Sequence, residues 1–202
     1  MAIISNGTTI ADAGAFSASL GSYVHLNTTN LNNASNCTLT HGTGGVDFSS
    51  NYKSFEVKFI NIHPSADNSD FQFNVSIDSG SNFGINKTNT FYSVIHTEGD
   101  GAYYEYSTAM DMHNNGGYSK LTDNTGNAND ENLSGTFRLY DPSNTTMMKA
   151  FQCRIINHEG SPSCIDTKVA GYIMTFYAIN SLRFQFAGAN MTGKIKLYGV
   201  KD

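Results

Sequence analysis

The chain has no tryptophan, three prolines and three cysteines in 202 residues, and only 14% of it is charged. That charged fraction is about half the usual quarter. The 12 lysines and arginines form no cluster along the chain, and the formal net charge is -5. The basic footprint that duplex nucleic acid requires for counterion release is therefore missing, and nucleic acid is not an expected partner. No apolar run approaches the ~20 residues of a membrane span, so no membrane partner is expected either. The opening Met1-Ala2-Ile3-Ile4-Ser5-Asn6-Gly7 lacks a basic n-region and a long apolar core. The chain is expected to stay where it is made or to leave by assembly or lysis. There is no CxxC pair to suggest zinc. Three reduced thiols, two of them packed as small apolar groups, is the reading, with a Cys153–Cys164 bridge that leaves Cys37 over as the alternative.

What is present is Asn, Ser, Thr and Gly, which favour turns and strands over helix interiors, together with 12% aromatic residues. Phe71-Gln72-Phe73-Asn74-Val75-Ser76-Ile77 alternates apolar and polar without a break, as a strand with one dry face must. Phe55-Glu56-Val57-Lys58-Phe59-Ile60 repeats the pattern, and His63-Pro64 ends it. Further strands are read at 23–26, 37–40, 92–95, 135–140, 147–156, 168–177, 182–186 and 194–200. Between them lie turns such as His41-Gly42-Thr43-Gly44-Gly45 and Asp141-Pro142-Ser143-Asn144. Residues 27–36 read as an Asn/Thr loop, 187–193 as a hairpin loop, and 99–132 as one long irregular loop. Many short strands at even spacing predict an all-β fold, an antiparallel two-sheet sandwich or jelly roll. Residues 1–22 read as an extended N-terminal arm leading into a first strand, and 23–202 as a single β-sandwich domain.

Chemistry is harder to find. His25, His41, His63, His96, His113 and His158 are scattered without ligand spacing. Residues 123–131, from Asp123 to Glu131, supply oxygens in the alternating style of a calcium loop. The glycine is out of place for an EF-hand, so a solvated loop is the reading and no cofactor is expected. Serines lack a GxSxG elbow, and no spacing singles out a carboxylate pair, so no enzyme is expected. The remaining signal is a group of tyrosines, Tyr103, Tyr104, Tyr106 and Tyr118, in or near the long loop. Such side chains stack on sugar rings or anchor a protein interface, or else simply cover the end of the sandwich.

Three stretches carry a resemblance. They are Ile4-Ser5-Asn6-Gly7-Thr8-Thr9-Ile10-Ala11-Asp12-Ala13-Gly14, Lys58-Phe59-Ile60-Asn61-Ile62-His63-Pro64 with Phe71-Gln72-Phe73 behind it, and the ending from Leu182-Arg183-Phe184 to Leu197-Tyr198-Gly199-Val200. The chain resembles small jelly-roll virion structural proteins, of decoration or tail type, from marine tailed bacteriophages. The resemblance implies a place on the virion surface and transfers no catalytic or binding residue.

Two functions are expected from this. One is a non-enzymatic capsid decoration or cement protein that meets the major capsid protein, or tail proteins, as a homo-oligomer with a trimer favoured. The other is a tail-associated receptor- or carbohydrate-binding module that uses the tyrosines on a host-surface glycan.

Overall fold

The computed structural model describes residues 22–160 and 162–201, and the backbone of 3–5, 8–12 and 15–16. Half of the expected arm, residues 1–2, 6–7, 13–14 and 17–21, thus lies outside the described residues. Its described segments, β1 (Ile3–Ser5), β2 (Thr8–Asp12) and β3 (Ala15–Phe16), pair antiparallel with one another. The rest is all-β, with no helix among the described residues and hence none long and apolar enough to cross a membrane.

The remaining strands are β4 (Tyr23–Ala34), β5 (Cys37–Thr40), β6 (Ser54–Pro64), β7 (Phe71–Ser76), β8 (Lys87–Thr97), β9 (Ala102–Tyr106), β10 (Met112–Asn115), β11 (Ser119–Lys120), β12 (Leu133–Tyr140), β13 (Lys149–Glu159), β14 (Ser163–Ile173), β15 (Ser181–Phe186) and β16 (Met191–Val200). They form two antiparallel sheets. The small one runs β11-β7-β15-β5, and the large one β10-β8-β14-β13-β12-β6-β16-β4, with β9 beside β10 on the free edge of β8. Within them, β4-β16-β6-β12 faces β5-β15-β7-β11, the strand order of a jelly roll. Two insertions widen one sheet only. Strands β8–β10 interrupt the passage from β7 to β11, and β13–β14 that from β12 to β15, so the large sheet extends beyond β12.

Alternation explains the packing. The inward residues of β6, β12 and β13 meet those of β7 and β15 across the gap, and the meeting is largely phenylalanine. Phe59 lies edge-on to Phe71 and Phe184, at 5.1 and 4.9 Å between ring centroids. Phe73 packs on Phe137 and Phe151 at 4.7 and 4.8 Å. Such tilted contacts add about 0.5–1.5 kcal/mol each beyond the area that they bury.

Three segments differ from the sequence reading. Residues 27–34 continue β4 rather than looping, because their backbone pairs with β16 and Leu31 anchors in the core. The 99–132 region holds β9, β10 and β11 rather than one irregular loop. The strand read at 168–177 sits earlier, at β14, and ends at Ile173.

Candidate functional site

The tyrosines divide. Tyr103, Tyr104 and Tyr106 share β9, where every residue is exposed. Tyr104 is 71% exposed, and its ring lies 6.1 Å from that of Tyr92 on β8. The Tyr106 hydroxyl donates to Oδ2 of Asp111 at 2.8 Å, which raises the phenol's pKa. Tyr118 stands apart, half-buried beside Lys120 and Met112 in a separate depression.

Residues 123–131 bond to local partners, with 127–130 exposed. Glu131 Oε2 accepts the Ala128 amide at 2.7 Å, and the carbonyl of Asp123 accepts from Asn157. Burial, then the charge of Asp70, pushes the Asp123 carboxyl up to about 6. Among the described residues no three His, Cys, Asp or Glu side chains converge as metal ligands. The register does bring His96, Cys164 and His158 side by side across β8, β14 and β13. They line a cleft of about 630 Å³ that also holds Glu98, Glu131 and Glu159. This neighbourhood joins residues far apart in the chain and gave no sequence signal.

Cys153 and Cys164 do not meet. Cys153 points into the core opposite Val169, whereas Cys164 is exposed on the other face opposite His158. Cys37 is buried too, and burial pushes its thiol up to about 11.

The sheet's outer face carries the strongest pattern. Pairing register places Tyr106, Tyr92, Lys168, Arg154, Thr136, Lys58 and Lys196 in one row across β9, β8, β14, β13, β12, β6 and β16. The row is about 29 Å long at about 4.8 Å per strand. It contains two like-charged cross-strand pairs, Arg154–Lys168 and Lys58–Lys196, an arrangement that costs stability. Arg138 and Lys194 lie in the flanking rows of the same face.

Two carboxylates temper this field. Glu56 accepts from Arg138 at 2.8–2.9 Å and lies 3.8 Å from Lys58. Asp166 accepts both Nε and Nη2 of Arg154 at 2.9 Å. Among the described residues Lys168, Lys194 and Lys196 make no ion pair. Lys168 lies over the Tyr92 ring at 5.8 Å, and Lys58 lies beside the stacked rings of Tyr23 and Tyr198, 5.3 and 5.2 Å from their centroids. A depression of about 300 Å³ opens in the middle, where Tyr92, Thr136, Arg138, Gln152, Arg154 and Lys168 stand with the carboxylate of Glu56.

A second surface is apolar. Met147, Met148, Phe176 and Tyr177 are 67%, 43%, 56% and 71% exposed, and they flank the pair Lys149–Ile173 where β13 begins and β14 ends. Beneath them the buried Lys149 ammonium donates to the carbonyls of Thr175 and Tyr177 at 2.8 and 2.9 Å.

Comparison of the chain with protein-family models, with curated proteins and with solved structures gave no match.

Proposed function

We propose that this chain is a non-enzymatic structural protein on the outside of a tailed-phage virion, a decoration or cement protein of the head that assembles as a closed oligomer, by preference a trimer. The observation that carries the reading is the exposed cluster Met147, Met148, Phe176 and Tyr177. Large apolar side chains gathered in water mark a contact with another protein surface. The clamp of Lys149 on the carbonyls of Thr175 and Tyr177 holds that cluster in shape before any partner arrives. A compact jelly-roll body with such a patch suits a coat subunit, and the resemblance of 4–14, 58–64 and 182–200 to virion proteins supports the location. The test is the copy number per purified virion, by quantitative mass spectrometry against the major capsid protein. A copy number comparable to the capsid protein is expected. A few copies per particle, or none, overturns the head assignment.

The second reading, a tail-associated module that binds host-surface carbohydrate, is favoured by β9. Its three tyrosines stand exposed on an edge strand rather than covering the sandwich. Glycan binding that disappears with Tyr104→Ala supports it, and silence on every glycan with tight binding to empty capsids removes it.

A further inference from the structure

We infer that the outer face of the large sheet is a binding track for an acidic polysaccharide, lying across the strands from Tyr106 and Tyr92 to Lys196. The inference rests on the carbohydrate-binding reading and gives it a ligand class and a location.

The first ground is the row itself. Seven side chains from seven strands stand in one line, and four of them are cationic. A line perpendicular to the strands fits a linear polymer better than a compact ligand. The second ground is the cost. Like charges directly opposite one another weaken a sheet, and this sheet holds two such pairs in a chain whose net charge is -5. A bound polyanion relieves what the carboxylates of Asp166 and Glu56 leave of that repulsion.

The third ground selects the polymer. Arg138, Arg154 and Lys58 are already engaged by Glu56 and Asp166, so among the described residues the cations of this face without an ion pair are Lys168 on β14 and Lys194 and Lys196 on β16. That spacing matches a chain with a carboxylate or sulfate on some of its sugars, and it is sparse for a polyphosphate. Neutral hydrogen-bonding groups, Thr136 and Gln152, lie among the cations in the central depression, where sugar hydroxyls can meet them. At one end Tyr92 and Tyr104, 6.1 Å apart, offer ring faces for a pyranose to stack on.

The experiment measures binding of the whole chain, by calorimetry, to polyuronate (alginate), dextran sulfate, neutral dextran and single-stranded oligothymidylate, at low and high salt. Binding to one of the acidic glycans is expected, weakening as salt rises. The double variant Lys168→Gln/Lys196→Gln is expected to weaken it by about tenfold, from the loss of two screened contacts. Each change also removes one member of a like-charged pair, so thermal stability is expected to stay level or rise; a loss of affinity in a variant no less stable than wild type is not a folding artefact. Binding to neutral dextran alone overturns the acidic track and leaves the carbohydrate reading standing. Binding to no glycan overturns both. Preference for the oligonucleotide, or acidic-glycan binding untouched by the double variant, overturns the track.

Discussion

The hydroxyl of Tyr23 donates to Oε1 of Glu56 at 2.5 Å, reaching across β16 to join β4 to β6. The same carboxylate takes Arg138 from β12 and neighbours Lys58, so one side chain ties β6 and β12 to β4 at the sheet's edge. Burial draws the Glu56 carboxyl up, but hydrogen bonds from Tyr23 and Arg138 and the charges of Arg138 and Lys58 outweigh it and hold the group below its ordinary range.

Tyr23→Phe keeps the ring stacked on Tyr198, 4.6 Å away, and removes only the hydroxyl. It is expected to cost about 1 kcal/mol of unfolding free energy, because the site is partly exposed. The sign in acid follows from the depressed carboxyl. Its stabilisation is complete above the ordinary carboxylate range and is lost as pH falls through the lower folded value. Urea unfolding at neutral pH and in acid measures both effects. A loss that is the same under the two conditions contradicts a charge-assisted bond.

Lys87 follows the same sign in a more alkaline window. Its side chain is fully buried, and its ammonium donates to Asn74 Oδ1 at 2.7 Å and to the Ile85 carbonyl at 2.9 Å. No carboxylate faces it in those contacts, and burial lowers its pKa to about 7. Between that value and the ordinary lysine value of about 10.4 the unfolded chain holds a proton that the folded chain has released. Stability is therefore expected to rise with pH through this window. In Lys87→Met the rise should vanish, and unfolding curves from neutral to alkaline pH decide it.

How much of this was legible in the sequence depended on whether one residue's neighbours could be seen along the chain. Strands β7 and β15 were readable because Phe71, Phe73, Leu182, Phe184 and Phe186 alternate with polar residues. The polar face of β7 is nonetheless not wet, because Asn74 and Ser76 are buried beneath neighbouring segments they hydrogen-bond. The second half of β4 was not. Asn27, Thr28, Asn30 and Asn32 signal a turn, but their ladder to β16 is made by the backbone, which composition does not report. Strand β9 was hidden in the same way among Gly and Asp. Of the four tyrosines, β9 gathers three, and Tyr118 falls elsewhere. The cation row was invisible for a different reason. Lys58, Arg154, Lys168 and Lys196 are separated by up to 138 positions, from 58 to 196, and only strand register lines them up.

The three thiols are expected to separate by reactivity. Cys37 and Cys153 are buried, and burial raises both thiol pKa values, so neither supplies thiolate near neutrality. Cys164 is exposed between His96 and His158. Titration of the native protein with a chromogenic disulfide should label Cys164 quickly, and denaturant should release the other two. Rapid labelling of Cys153 in the native protein would mean that β13 does not face the core as described.

Asp123 gives the last test, and its sign is the reverse of that at Glu56. Burial first, and then the negative charge of Asp70, pushes its carboxyl up to about 6. Lys120 bonds Asp70 at 2.7 Å and only partly offsets this. Between about 4, where an unfolded aspartate titrates, and that raised value, the folded chain holds a proton that the unfolded chain has lost. Stability should thus fall as pH rises through this interval. Asp123→Asn removes the charge and keeps the shape, so it should stabilise the protein at neutral pH and flatten that fall. The same variant bears on the oxygen-rich loop at 123–131. If calcium raises the melting temperature of the wild type and not of Asp123→Asn, the carboxylate serves a cation, and its burial is the cost of that site. If calcium moves neither, the raised carboxyl of Asp123 belongs to its burial and to the charge of Asp70.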